Sequence, residues 1–226
     1  RLKKQGVNSI LVIPLFPQYA SASTGSVIEE VNRVVGQWQV IPELNYVNNF
    51  FDHDLFLKTI EERASVFMKE KAYDHYVFSY HGLPERQILK AEIKTCKLGE
   101  CCNNYGAHNK YCYRAQCFET TKLLAQRLNI PQEKYTVSFQ SRLGKTPWIK
   151  PYTDHLIDEL AADGIKNVLV FSPAFISDCL ETTLEVGETY KEQFIEAGGE
   201  SWDLVESLNI HPTWVKCLVD IVKKKN

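Results

Sequence analysis

The chain has 226 residues, 44% of them hydrophobic and 24% charged, with a net charge of −2. That is apolar material for one large or two small domains, and the near-neutral balance gives no basis for binding nucleic acid or an anionic membrane. No apolar run approaches the roughly 20 residues that span a bilayer. The opening RLKKQGVNSILVIPL carries no signal-peptide pattern and enters a strand so abruptly that a fragment of a longer protein is expected.

Strands are predicted at 9–15, 39–44, 76–81, 135–141, 167–175 and 202–208. Several are unbroken apolar runs, as in strands covered on both faces. Helices are predicted between and after them, at about 50–71, 117–129, 151–163, 179–197 and 211–225. The last has Pro212 near its start and Val215, Leu218, Val219 and Val222 on one stripe. Glycines in ADGIKN (162–167) and EAGGESW (196–202) mark helix stops before the next strand. This alternation predicts an α/β fold with parallel sheets.

In open α/β sheets, ligands bind beyond the carboxyl ends of the strands, so those ends are read together. The strand at 76–81 ends on His81, followed by Gly82 and Pro84, a stiff platform that aims the imidazole. A histidine there can bond a neighbouring backbone group, accept a proton or ligate a borderline metal. Tyr19, Tyr80, Trp148 and Tyr152 stand at or just after strand ends. Singly each reads as packing; jointly with His81 they can line a flat apolar slot with polar edges.

Asp178, Glu181, Glu185 and Glu188 follow the strand at 167–175. At α-helical winding, 181, 185 and 188 lie within about 60° of one another. The stripe is either a solvated face, with Asp178 as cap and Glu181 as its capping-box partner, or a path for a divalent cation or protons.

Five of the seven cysteines fall within 96–117, spaced C-x4-C-C-x9-C-x4-C. Without an export signal, that density argues for a metal rather than a disulfide framework. A four-cysteine site here suits a [2Fe–2S] cluster or a structural Zn2+, with His108 a weaker zinc ligand; reduced thiols in a surface loop are the alternative. Cys179 and Cys217 read as packing residues.

Four segments in order, PLFPQYASASTGS (14–26), FSYHGLPER (78–86), FQSRLGKTPWIKPYTD (139–154) and SPAFISDCLETTLE (172–185), resemble the signature segments of ferrochelatase, in the spelling of the bacterial protoporphyrin branch. Other branches usually have histidine where this chain has Cys179. The resemblance implies a cytoplasmic enzyme that inserts Fe2+ into protoporphyrin IX at the end of haem synthesis. It implies two Rossmann-like domains, the first incomplete: 1–74 with the helix 211–226 packed on it, and 75–210 containing the cysteine-rich insertion 96–117. A further strand–helix–strand region would precede residue 1. His81 and Glu181 would be the catalytic pair facing the incoming iron, and Asp178, Glu185 and Glu188 a metal or proton path. Tyr19, Ser23, Tyr80, Gln140, Ser141 and Trp148 would face the porphyrin. The hydrophobic product gives a reason for peripheral membrane contact. Family members with a [2Fe–2S] cluster turn the choice from zinc to iron–sulfur. Ser21 stands where the better-known arrangement has a cysteine, so a cluster here would be internal to the insertion: Cys96, Cys101 or Cys102, Cys112 and Cys117. A cobalt or nickel chelatase of the same fold and a non-catalytic iron–sulfur or haem-binding module are the alternatives.

Overall fold

The structure is a computed structural model that describes residues 1–91 and 96–225. Six strands form two parallel sheets. β1 (Ser9–Val12) pairs with β2 (Glu43–Tyr46), and β3 (His75–His81), β4 (Tyr135–Gln140), β5 (Asn167–Phe171) and β6 (Ser201–Leu204) lie in the order β4-β3-β5-β6. The helices are α1 (Leu2–Gln5), α2 (Ser26–Val35), α3 (Asp54–Glu70), α4 (Glu85–Lys90), α5 (Tyr113–Arg127), α6 (Thr153–Ala162), α7 (Tyr190–Glu196) and α8 (Pro212–Lys225).

The apolar strands are buried on both faces, and their alternation divides the core. Val77, Val168 and Val170 pack with Leu156, Ile157 and Leu160 of α6, and with Tyr190, Phe194 and Trp202. On the other face, Phe78 and Phe171, paired in register across β3 and β5, stack with ring centroids 4.4 Å apart. That side continues through Phe56, Leu57 and Ile60 of α3 to α5 and α8. Burying each such aromatic contributes roughly 1.5–3 kcal/mol.

Three expectations shift. β2 starts at Glu43, not 39, because Pro42 has no N–H for the ladder; Val40 and Ile41 are left exposed, and the Glu43 N–H makes the first bond, to the Asn8 carbonyl. β5 stops at Phe171 for the same reason, with Pro173 two residues on. α8 is turned from its expected valine stripe: Trp214, Cys217 and Ile221 are buried, while Val215, Val219 and Val222 are 49%, 48% and 37% exposed. Trp214 decides the rotation by packing between Phe50 and Phe56 of the α3 entry. α2 was not predicted, since its only fully buried residue is Val35 and the hydroxyl-rich run before it reads as a loop.

β3 is the pivot of the four-stranded sheet. From it the chain moves to β4 on one side and then returns to β5 on the other. The crevice beyond the carboxyl ends of β3 and β5 is therefore the topological switch point, where open α/β sheets bind ligands.

Candidate active site

His81 ends β3 at that crevice, half-buried. The turn after it is pinned from three directions. The Gly82 N–H donates to the Gln140 carbonyl at 2.9 Å, the Ile149 N–H to the Leu83 carbonyl at 2.9 Å, and the Glu85 N–H to the Pro147 carbonyl at 3.0 Å. A Cβ on Gly82 would sit 2.9 Å from the Gln140 carbonyl oxygen and 3.1 Å from the Trp148 ring, so this close strand approach needs glycine. The His81 Nδ1 lies 2.7 Å from the Gly82 carbonyl oxygen. A carbonyl only accepts, so Nδ1 carries a proton and Nε2 is the nitrogen that can offer a lone pair. The imidazole centroid is 6.4 Å from the Trp148 ring and 6.4 Å from the Phe175 ring.

A cavity of about 280 Å3 opens here, lined by His81, Leu83, Phe16, Ser23, Ala174 and Phe175 among others. A second, of about 580 Å3, adjoins it through the shared residues Ala20, Leu83 and Tyr113 and carries Tyr19 and Tyr111 on its wall. The first cavity is mainly apolar, and the second adds polar edges from Ser21, Asn48, Gln87 and Lys90, a combination that suits a flat aromatic ligand with polar substituents.

Of the expected porphyrin-facing residues, Ser23 lines the first cavity, Tyr19 the second, and Trp148 stands beside His81. Three others are turned elsewhere. Tyr80 is fully buried in the core, with its hydroxyl 2.8 Å from the Thr121 hydroxyl; it alternates with His81 along β3 and points to the helix layer. Gln140 is 1% exposed; it accepts from the Ser79 hydroxyl at 2.7 Å and donates to the Glu181 carbonyl at 3.2 Å. It positions Glu181 rather than meeting a ligand. Ser141, in the left-handed region at φ 61°, gives its N–H and hydroxyl to Glu185. Sequence reading missed Phe16, Leu83, Tyr113, Ala174 and Phe175 as lining residues. The signal available was their position just past β1, β3 and β5, or at the cysteine-rich boundary.

The acidic stripe does not survive as one path. Glu181–Thr189 winds as a π-helix, whose i→i+5 ladder turns fewer degrees per residue than an α-helix. The α-helical alignment of 181, 185 and 188 is therefore lost. Glu181 is exposed near His81. A hydrogen bond from the Cys179 thiol, its own backbone N–H and the His81 charge hold its carboxyl below the usual carboxylate range. Glu185 is consumed by the Ser141 N–H, the Ser141 hydroxyl and the Tyr190 hydroxyl, each at 2.8 Å. Burial and the Glu185 charge push the Tyr190 phenol up, so it stays a donor. Glu188 is exposed. Asp178 is neither a helix cap nor a free metal ligand: its carboxylate accepts from the Ser207 N–H at 3.0 Å and from Asn209 Nδ2 at 2.7 Å, tying the loop after β5 to the segment before α8. Cys179 is half-buried against Glu181 rather than packed in the core, whereas Cys217 is fully buried.

In the cysteine-rich segment four thiols form a chain of neighbours. Cys96 lies beside Cys101, the Cys101 and Cys102 sulfurs are 3.9 Å apart, and Cys102 lies beside Cys112. The Cys102 thiol, then the α5 backbone N–H groups, pull the Cys112 thiol below its ordinary pKa. Cys117 departs from the expected ligand set. It lies in α5, fully buried, and burial pushes its thiol well up beside Tyr113. Among the described residues, no three His, Cys, Asp or Glu side chains converge at metal-holding distances. The donors fit a thiolate-bound metal in kind and adjacency, with Cys96, Cys101, Cys102 and Cys112 as the set, and they stand as a chain rather than a tetrahedron.

Comparison with known proteins bears on the same segments. A ferrochelatase of Pseudomonas putida (strain KT2440) is 42% identical over 229 residues, spanning 99% of this chain and 68% of that protein. One of Legionella pneumophila (strain Lens) is 42% identical, and one of Ectopseudomonas mendocina (strain ymp) is 44% identical, each spanning 96% of this chain and 65% of that protein. The chain thus covers about two thirds of the length of these relatives. The solved structure of SirB from Bacillus subtilis with Fe3+ matches 98% of this chain and 73% of that one at TM-score 0.61 and 16% identity, a likeness of fold. The ferrochelatase family model matches residues 1–226, through every strand-end segment that builds the two cavities, and the chain belongs to that family.

Proposed function

We propose that the parent protein inserts Fe2+ into protoporphyrin IX, the terminal step of haem synthesis. The observation that carries this reading is the His81 ring at the switch point, its Nδ1 engaged by the Gly82 carbonyl so that Nε2 is the nitrogen left for substrate, with Glu181 close by. A porphyrin loses two N–H protons as the metal enters. His81 Nε2 accepts a proton from the pyrrole nitrogens, and the ionised Glu181 carboxylate takes protons onward or holds the incoming iron. Phe175 and Trp148 place aromatic surface beside the imidazole. The macrocycle would lie between two units, 1–74 with 211–226 and 75–210, a division supported by the two separate sheets.

Four neighbouring thiols support a [2Fe–2S] cluster held by Cys96, Cys101, Cys102 and Cys112, with structural zinc as the alternative. Such a cluster supplies one-electron chemistry and a cross-link, neither of which metal insertion requires. Seven free cysteines fit a reducing cytoplasm, and no described helix is long and apolar enough to cross a membrane. Phe16, Leu180 and Leu184, 41%, 73% and 50% exposed around the site, supply an apolar rim for peripheral contact with a membrane that receives the product.

The test is a direct insertion assay with the full-length parent, anaerobic, with protoporphyrin and Fe2+, Co2+ or Ni2+ supplied separately. Turnover with Fe2+ that exceeds the other two supports the reading. Turnover confined to Co2+ or Ni2+ would assign the site to a different chelatase, and none with any metal would leave a binding module.

A further inference from the structure

Helix α5 begins where the cysteine-rich segment ends, and its first turn reaches the active site. Cys112 is its N-cap residue, and its carbonyl accepts the first backbone bond of the helix, from the Gln116 N–H at 3.0 Å. The next residue, Tyr113, donates its hydroxyl to the His81 carbonyl at 2.8 Å, and the Cys117 thiol lies against the same hydroxyl. The Tyr113 ring lines both cavities. One turn on, the Gln116 Oε1 accepts the Tyr19 N–H at 2.7 Å, and its Nε2 donates to the Lys110 carbonyl at 2.7 Å. A single turn therefore holds the strand end that carries His81, the loop that carries Tyr19, and the backbone of the cysteine-rich segment.

The position of the imidazole depends on the His81 peptide. Its Nδ1 is bonded to the adjacent Gly82 carbonyl, so ring and backbone move as one body. Tyr113 is the side chain that fixes the carbonyl end of that body. We propose that Tyr113 is a positioning residue for His81, and that through it the ligation state of Cys112 reaches the porphyrin site. The second half rests on the thiol-centre reading given above. A metal on the Cys112 sulfur would fix the first turn of α5, and with it the direction of the Tyr113 hydroxyl. Without metal, that turn is held by hydrogen bonds alone and the His81 peptide gains freedom. The link is mechanical and involves no electron transfer.

The experiment uses the full-length parent with Tyr113→Phe, Cys112→Ser and the double variant. Serine is itself a good helix cap, so the second change removes a thiolate and keeps the helix start. Two readouts are taken: kcat and KM for protoporphyrin, and the imidazole C–H resonances of His81 by NMR. The expected result for Tyr113→Phe is a roughly tenfold loss in kcat, about 1.4 kcal/mol, with KM within about twofold and displaced His81 resonances. Cys112→Ser should displace the same resonances in the same direction, and the double variant should be no worse than the poorer single. If Tyr113→Phe does not fold, 3-fluorotyrosine at that position keeps the ring and strengthens the donor, which should move the His81 resonances the opposite way. Unmoved His81 resonances with unchanged kcat would overturn the positioning role. Additive losses in the double variant would overturn the transmission from Cys112. Should the wild type insert no iron, the functional reading fails, and the His81 resonances still decide this proposal.

Discussion

Ser141 gives both its backbone N–H and its hydroxyl to the carboxylate of Glu185, each at 2.8 Å. The pair joins the end of β4 to the π-helix and depends on the left-handed backbone of Ser141, φ 61°. Glu185 therefore serves the architecture that presents Glu181. Loss of one hydrogen bond to a charged group costs about 1.5–3 kcal/mol. Ser141→Ala is expected to lower unfolding stability by roughly that amount in urea titration, and a change below about 0.5 kcal/mol would show the contact to be dispensable.

The two exposed glutamates should behave differently. Glu181 is near His81; the π-helical winding breaks its alignment with Glu188. Glu181→Gln is expected to reduce kcat for iron insertion by roughly 10- to 100-fold, in the range of a lost acid–base group. Glu188→Gln should remain within about twofold of wild type. Steady-state kinetics on both variants decides, and equal small effects would return the stripe to a solvated surface.

Asp178 carries a pH signature. Burial pushes its carboxyl up, but hydrogen bonds from Asn209 and Ser207, with the Arg63 charge nearby, outweigh burial and hold it below the ordinary range. A depressed folded-state value stabilises the fold above the unfolded value of about 3.9 and is lost as pH falls through the folded one. The stability gap between wild type and Asp178→Asn should be largest near neutral pH and shrink as pH falls below about 4. Urea midpoints across that range provide the measurement; a gap that stays constant or widens in acid contradicts the assignment.

The thiol chain makes an analytical prediction. Protein prepared anaerobically with iron is expected to hold two irons and two acid-labile sulfides per chain, as a [2Fe–2S] cluster requires. Cys96→Ser or Cys112→Ser should abolish them, whereas Cys117→Ser should leave the cluster in place, because Cys117 is buried against Tyr113. One zinc and no sulfide would make the centre structural zinc, and cluster loss in Cys117→Ser would restore it to the ligand set.

The parallel α/β layout was legible because unbroken apolar runs admit few other arrangements, and His81 was legible because Gly82 and Pro84 mark a tight turn directly after it. Side-chain direction was less accessible. Tyr80 and His81 are neighbours in the sequence and face opposite layers, a matter of strand phase that the motif does not state. The acidic stripe was projected at α-helical winding, and nothing in ETTLEVGET announces a π-helix. The face that α8 buries was set by Trp214 meeting Phe50 and Phe56, a pair far from it in sequence. Cys117 belonged to the spacing pattern but falls one turn inside a helix, fully buried against Tyr113.

The central claim is that His81 is the base at the porphyrin. His81→Ala in the full-length parent, assayed for Fe2+ insertion alongside circular dichroism and protoporphyrin binding, tests it most directly. The expected result is a folded protein that still binds porphyrin and has lost insertion by about 100-fold or more, the range for a general base. A folded His81→Ala protein that turns over at a near-normal rate would contradict the account.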